Sequence, residues 1–178
     1  MAAAFLASLP GACVAPMDPE RTGCAVSAFI PALALREAAR GLTDLGYFLE
    51  DVTGLHVAEG FELDYYFSHW DTPGRLALRV VVPADHAEAP SLSDFIPGAD
   101  WHERETADFI GVRFTGHPNP QPLLLPEDST IHPLVREPQA LRSLHDLLPP
   151  ACFVADPACF TAEPTSHASG PGRSGGRS

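Results

Sequence analysis

The chain contains no lysine: its 11 basic residues are all arginine, they face 23 carboxylates, and the formal net charge is −12. A surface this acidic repels phosphate backbones and anionic headgroups, which argues against a general role on nucleic acid or at a membrane surface. Long hydrophobic runs are missing too. The apolar stretch from Ala2 to Leu9 falls well short of the roughly 20 residues that a membrane-spanning helix needs. No arginine precedes it to make the positive head of a secretory signal. Pro10 stands where a lipoprotein signal wants a large aliphatic residue ahead of Cys13. The expectation is a soluble cytoplasmic chain without membrane insertion of its own.

Cysteine is scarce and poorly spaced for metal. Cys13 and Cys24 lie ahead of the stretch that looks foldable, Cys152 and Cys159 behind it, and no short C-x2-C gap of the kind zinc or iron–sulfur sites use occurs. Free thiols in flanking segments are expected. A glycine-rich nucleotide loop after a strand and a G-x-S-x-G nucleophile turn are also absent. No motif here would hold a flavin, a cluster or a nucleotide.

What is present suffices for one domain: 178 residues, 45% of them hydrophobic. Residues 1–30 are rich in Ala, Gly and Pro with little periodicity and read as a flexible leader. Residues 161–178 are Ser/Gly/Pro-rich, and the stretch 151–178 reads as a disordered tail. The folded unit is then 31–150. Its first element is a helix over residues 33–45, opened by Pro31, with Leu35, Ala38, Leu42 and Leu45 at helical spacing and Gly46 as its stop.

Three strands follow. Residues 47–57 are aromatic and β-branched. Phe61, Leu63, Tyr65 and Phe67 alternate with Glu62, Asp64, Tyr66 and Ser68, and Leu76, Leu78, Val80 and Val82 alternate with Arg75, Ala77, Arg79 and Val81. Asp71-Thr72-Pro73-Gly74 supplies the turn between the last two. Short connections between alternating strands predict an antiparallel meander with one buried face, Glu62 and Asp64 opposing Arg75 and Arg79 in solvent on the other. The fold class expected is α+β: a small antiparallel meander sheet covered by helices, followed by an extended Pro/Leu-rich docking arm.

The second helix is predicted from Asp100, as N-cap of a capping box with Glu103, to Ile110, ending at Gly111, with a short strand over 112–115. The arm, residues 116–137, begins with Pro118, Pro120 and Pro122 in alternation, which exclude a central strand. It then delivers Leu123-Leu124-Leu125, which either fold back on the domain or dock on another protein. On the helix, the cluster His102-Glu103-Arg104-Glu105 with Asp108 lacks the second histidine of an H-E-x-x-H zinc helix, because position 106 is Thr. Arg104 and Asp108 form an i,i+4 pair in the less favourable orientation. A structural or interface network fits this cluster better than catalysis. His117 and His132 each precede a proline and read as extended backbone. A free-standing metal enzyme using His102, His117 and His132 is the reading from another functional class.

From Ala99-Asp100-Trp101-His102-Glu103-Arg104-Glu105 through Asp108, Gly111, Gly116-His117-Pro118 and Leu123-Leu124-Leu125-Pro126-Glu127-Asp128, the chain resembles the C-type (30 kDa) subunit family of proton-pumping NADH-quinone oxidoreductase, respiratory complex I. The likeness covers about residues 33–137. It implies a member of the peripheral arm, non-catalytic and without catalytic, cofactor or metal residues of its own. Such a polypeptide packs beside the large quinone-site (D-type) subunit and the iron–sulfur subunits, on the cytoplasmic side of the cell membrane. Electrons from NADH would pass through FMN and iron–sulfur clusters in partner subunits to quinone, coupled to proton translocation. Trp101, Glu103, Arg104, Glu105, Asp108, Gly111, Gly116, His117, Pro118, Leu123, Leu124, Leu125, Pro126, Glu127, Asp128, His132 and Pro133 would be motif and subunit-interface residues. Two departures stand out. Gln121 and Pro122 replace the family's basic residues, and Ile131-His132-Pro133-Leu134-Val135-Arg136-Glu137 lacks the Gly and one basic residue of its later motif. They leave open the homologous subunit of a membrane-bound hydrogenase or a deazaflavin-dependent donor complex.

Overall fold

The computed structural model describes residues 1–147. The meander is present as expected: β3 (Tyr47–Val57), β4 (Gly60–His69) and β5 (Arg75–Val82) pair antiparallel in sequence order. Its apolar rows face the helices. Leu63, Tyr65, Phe67, Leu78 and Val80 are fully buried in one cluster with Leu35, Ala38, Ala39 and Leu42. Those last four come from α3 (Leu35–Asp44), which a 3-10 turn at Ala32–Ala34 introduces. Helical spacing in the sequence therefore placed the right face against the sheet.

The first thirty residues are not a loose leader. They form α1 (Ala2–Ala7), β1 (Cys13–Pro16), α2 (Pro19–Thr22) and β2 (Cys24–Phe29). The sheet has five strands in the order β1-β2-β5-β4-β3, and β2 runs parallel to β5, so it is mixed rather than purely antiparallel. Leu6 of α1 is fully buried in the main core. Short strands of small residues such as Cys13-Val14-Ala15 carry no strong alternation, and their pairing comes from sheet contacts distant in sequence. The expected tail over 151–178 lies outside the described residues, as do Cys152 and Cys159. Cys13 is disulfide-bonded, against the expectation of a free thiol, whereas Cys24 is free and buried.

The polar face of the meander is the second correction. Glu62 and Asp64 are only 2% and 3% exposed. Cys13, Ala15, Phe29, Val57 and Leu144, the last from α5 (Leu144–Leu147), form a second apolar cluster, so both sides of the sheet are covered. Arg79 meets both carboxylates, its Nη1 donating to Glu62 Oε1 at 2.8 Å and to Asp64 Oδ2 at 2.8 Å. Arg75 turns to Glu50 instead.

After β5, β6 (Glu88–Pro90) pairs in parallel with β7 (Arg113–Thr115) as a separate two-stranded ribbon, and α4 (Ala99–Ile110) lies between them in sequence. The helix starts earlier than a cap at Asp100 predicts: Gly98 is the N-cap. Turn bonds from Ala99 N–H to the Ile96 carbonyl and from Asp100 N–H to the Pro97 carbonyl already serve the first donors, leaving no capping task for Asp100. Among the described residues, no helix is long and apolar enough to cross a membrane.

Candidate functional site

α4 packs on β3 at a glycine. A Cβ at Gly54 would lie 2.2 Å from Ile110 Cδ1 and 3.1 Å from Thr106 Cγ2, so the missing side chain sets how closely helix and sheet approach. The helix ends at Gly111, whose φ of +77° is the left-handed conformation of a C-terminal glycine. A Cβ there would also meet the His132 ring at 2.8 Å. One face of α4 is thereby buried, and Trp101 on another is 68% exposed.

The polar motif residues divide by where they point. Glu103 is fully buried and leaves the capping box: Ser91 Oγ donates to its Oε2 at 2.5 Å, and Leu92 N–H to its Oε1 at 2.7 Å. Burial pushes its carboxyl above the usual range, opposed by those two donors and by His117. His117 Nδ1 accepts the Asn119 N–H at 3.1 Å, which leaves its Nε2 as the donor towards the Asp100 carbonyl at 3.3 Å. Among the described residues, Tyr65 Oη and Asp100 Oδ1 are buried atoms without a hydrogen-bond partner, although Asp100 Oδ1 lies 3.3 Å from His117 Nε2. His102 lies against Asp51, at 3.1 Å.

Arg104 and Asp108 do not pair with each other. Both reach across to the arm. Arg104 Nε donates to the Gln121 carbonyl at 2.8 Å and Nη2 to the Pro122 carbonyl at 2.9 Å. Asp108 Oδ2 accepts three successive backbone N–H groups, from Leu123 at 2.9 Å, Leu124 at 2.8 Å and Leu125 at 3.1 Å. Burial alone would raise the Asp108 carboxyl. The Leu124, Leu125 and Leu123 amides, with the Arg104 charge, outweigh it and hold the group below the ordinary carboxylate range. Further on, His132 Nδ1 donates to the Asp108 carbonyl at 2.8 Å and Leu134 N–H to the Phe109 carbonyl at 2.9 Å.

Of the two alternatives left open for the three leucines, the structure shows the folding back, at the level of the backbone. Their backbone folds onto α4, Leu123 and Leu125 are half-buried, and the Leu124 side chain is 59% exposed. Leu124 and Trp101 line one shallow groove with His102, Glu105 and Pro97. Behind the arm lies a cavity of about 270 Å³ floored by Ala107, Gly111 and Phe114. Gly116, Pro118, Pro126, Glu127, Asp128 and Pro133 are exposed on the arm.

The structure does not gather the three histidines of the metal reading into one ligand set. His102, His117 and His132 are engaged with Asp51, Asp100 and Asp108 respectively, and no group of three or more His, Cys, Asp or Glu among the described residues could hold an ion. Ser91, the Leu92 amide and Asp51 went unrecognised in the sequence. The polar Ser91-Leu92-Ser93 stretch before the helix was a signal for the first two, and Asp51 on β3 had none.

A family model described as "Respiratory-chain NADH dehydrogenase, 30 Kd subunit" matches residues 29–142. The C-type subunit of NADH-quinone oxidoreductase from Roseiflexus sp. (strain RS-1) is 39% identical over 93 residues, covering 51% of this chain and 53% of that protein. The chain thus spans about half the length of such curated relatives. The C/D-type subunit of NADH-quinone oxidoreductase from Shewanella woodyi (strain ATCC 51908 / MS32) is 40% identical over 80 residues, 45% of this chain and 13% of that protein. A chain in the structure of a membrane-bound sulfane sulfur reductase, an archaeal respiratory membrane complex, shares the fold with a TM-score of 0.56 at 24% identity, over 64% of this chain and 68% of that one. With its tryptophan-led helix, its aspartate-anchored leucine turn and this match, the chain belongs to the 30 kDa subunit family of respiratory-chain NADH dehydrogenase.

Proposed function

We propose that this chain serves as the C-type, 30 kDa subunit of an NADH-quinone oxidoreductase, a non-catalytic part of the peripheral arm on the cytoplasmic side of the cell membrane. Its α4–arm face docks on the large quinone-site subunit. The flavin and iron–sulfur clusters that carry electrons from NADH to quinone belong to partner subunits. One observation carries the reading: Asp108 spends three charge-assisted hydrogen bonds on holding a turn whose central side chain, Leu124, stays in solvent beside Trp101. A turn fixed this firmly around an exposed leucine is a prepared contact surface. The C/D designation of the Shewanella relative supports the large, D-type subunit as the neighbour.

Affinity purification of the tagged chain from its native membranes tests this. Recovery of the large quinone-site subunit with iron–sulfur partners is expected, together with NADH oxidation by the recovered assembly. Leu124→Asp should abolish recovery while leaving the chain's own melting temperature nearly unchanged. A chain recovered alone would refute the reading. An assembly that oxidises only a different donor, such as hydrogen or a deazaflavin, would reassign the input module.

A further inference from the structure

We infer that the Trp101–Leu124 groove takes a cationic segment of the partner subunit, an apolar side chain seated between Trp101 and Leu124 with an arginine or lysine beside it engaging Glu105. The inference rests on the docking role proposed above and names the chemistry of its other half.

The argument is a balance of local charge. Trp101 and Glu105 are one helical turn apart on the exposed side of α4, and both line the groove with Leu124. Arg104 and Arg113, which line the neighbouring cavity behind the arm, are already engaged within the chain. Arg104 serves the Gln121 and Pro122 carbonyls, His102 lies against Asp51, and Arg113 is bound to Glu88. Glu105, and farther along the arm Glu127 and Asp128, are exposed and make no hydrogen bond or ion pair among the described residues. An apolar centre bordered by the uncompensated Glu105 carboxylate, with further negative charge along the arm, selects for a partner with apolar anchors and positive flanks.

The same charge disfavours other occupants. A second copy placed symmetrically on this face would set carboxylate against carboxylate, and an anionic lipid surface would be repelled.

Two measurements on the tagged chain in detergent-solubilised native membranes decide the matter. First, Glu105→Arg combined with Glu127→Arg and Asp128→Arg should lower recovery of the large quinone-site subunit by about tenfold or more, with Glu105→Gln intermediate. Raising salt should weaken the wild-type association more than that of the Gln variant. Circular dichroism of the purified variants checks that these exposed substitutions leave the fold intact. Second, a photo-crosslinking amino acid at Leu124 should capture a partner peptide bearing Arg or Lys within a few residues of the linked position. Undiminished recovery with the triple variant or a captured peptide without a basic residue would each overturn the inference while the docking reading stands, and capture of a second copy of this chain at Leu124 would overturn both. Wild-type chain that recovers no large quinone-site partner overturns both.

Discussion

Asp108 Oδ2 and the backbone N–H of Leu124 lie 2.8 Å apart, at the centre of a three-amide fan that ties the arm to α4. A negative group buried against successive N–H donors has the logic of a helix N-cap, applied here to a loop. Asp108→Ala leaves three amides without their acceptor, and amide exchange at Leu123, Leu124 and Leu125 should accelerate by roughly tenfold to a hundredfold. Unchanged protection at those amides would show that the arm is held by other contacts.

The depressed Asp108 carboxyl also has a pH signature. Its folded-state value lies below the ordinary one, so its stabilising contribution is complete above the usual aspartate range and is lost as pH falls through the folded value. Amide exchange at Leu124, corrected for intrinsic rates, should show protection collapsing in acid, and Asp108→Asn should remove that dependence.

Glu62 titrates in the opposite sense. Burial first, then the neighbouring Asp64, push its carboxyl up to about 7 against the pull of Arg79. The native state therefore binds this proton more tightly than the unfolded chain does. The stability it contributes is present in full below the ordinary glutamate range and is lost as pH rises through about 7. Chemical denaturation between pH 5 and pH 8 should reveal a fall on the order of 1–3 kcal/mol, flattened in Glu62→Gln. Equal slopes in the two proteins would mean that Arg79 keeps both carboxylates ionised.

Gly54→Val tests the seating of α4 on β3. The added side chain would collide with Ile110 and Thr106. A loss of about 1–3 kcal/mol in unfolding free energy is expected, with increased exposure of the arm because its anchors ride on that helix. A melting temperature equal to wild type would show that the helix can lift without cost.

Removal of residues 2–30 separates a leader from a structural segment. Taking away β1 and β2 exposes the edge of β5 and uncovers the core around Leu35 and Leu78. Aggregated or unfolded material is the expected product. A soluble, cooperatively melting truncation would restore the leader reading.

The parts of the fold visible in the sequence were those with strong local periodicity. The two-residue alternation of Phe61–Phe67 and Leu76–Val82 marked β4, β5 and the buried face correctly. The same alternation misled on Glu62 and Asp64, since it reports two chemically different faces and not which of them meets water; Phe29 and Leu144, distant in sequence, close over the polar one. At the site, the motif identified the right residues but not their directions. Arg104 and Asp108 at i,i+4 look like partners, and only the three-dimensional path of the arm shows each taking backbone groups from the Gln121–Leu125 turn. Helix dihedrals put side chains on a face; they do not say what crosses it.

The parallel seam between β2 and β5 imposes an order of events during synthesis. Ser27 finds its partner Ala77 only after the whole hairpin of β3 and β4 has left the ribosome. Until then the β1–β2 ribbon has one bare side, the kind of surface that chaperones shield. Codon changes that slow translation between β2 and β5 would lengthen that interval and should reduce yield more than equal delays placed after Val82.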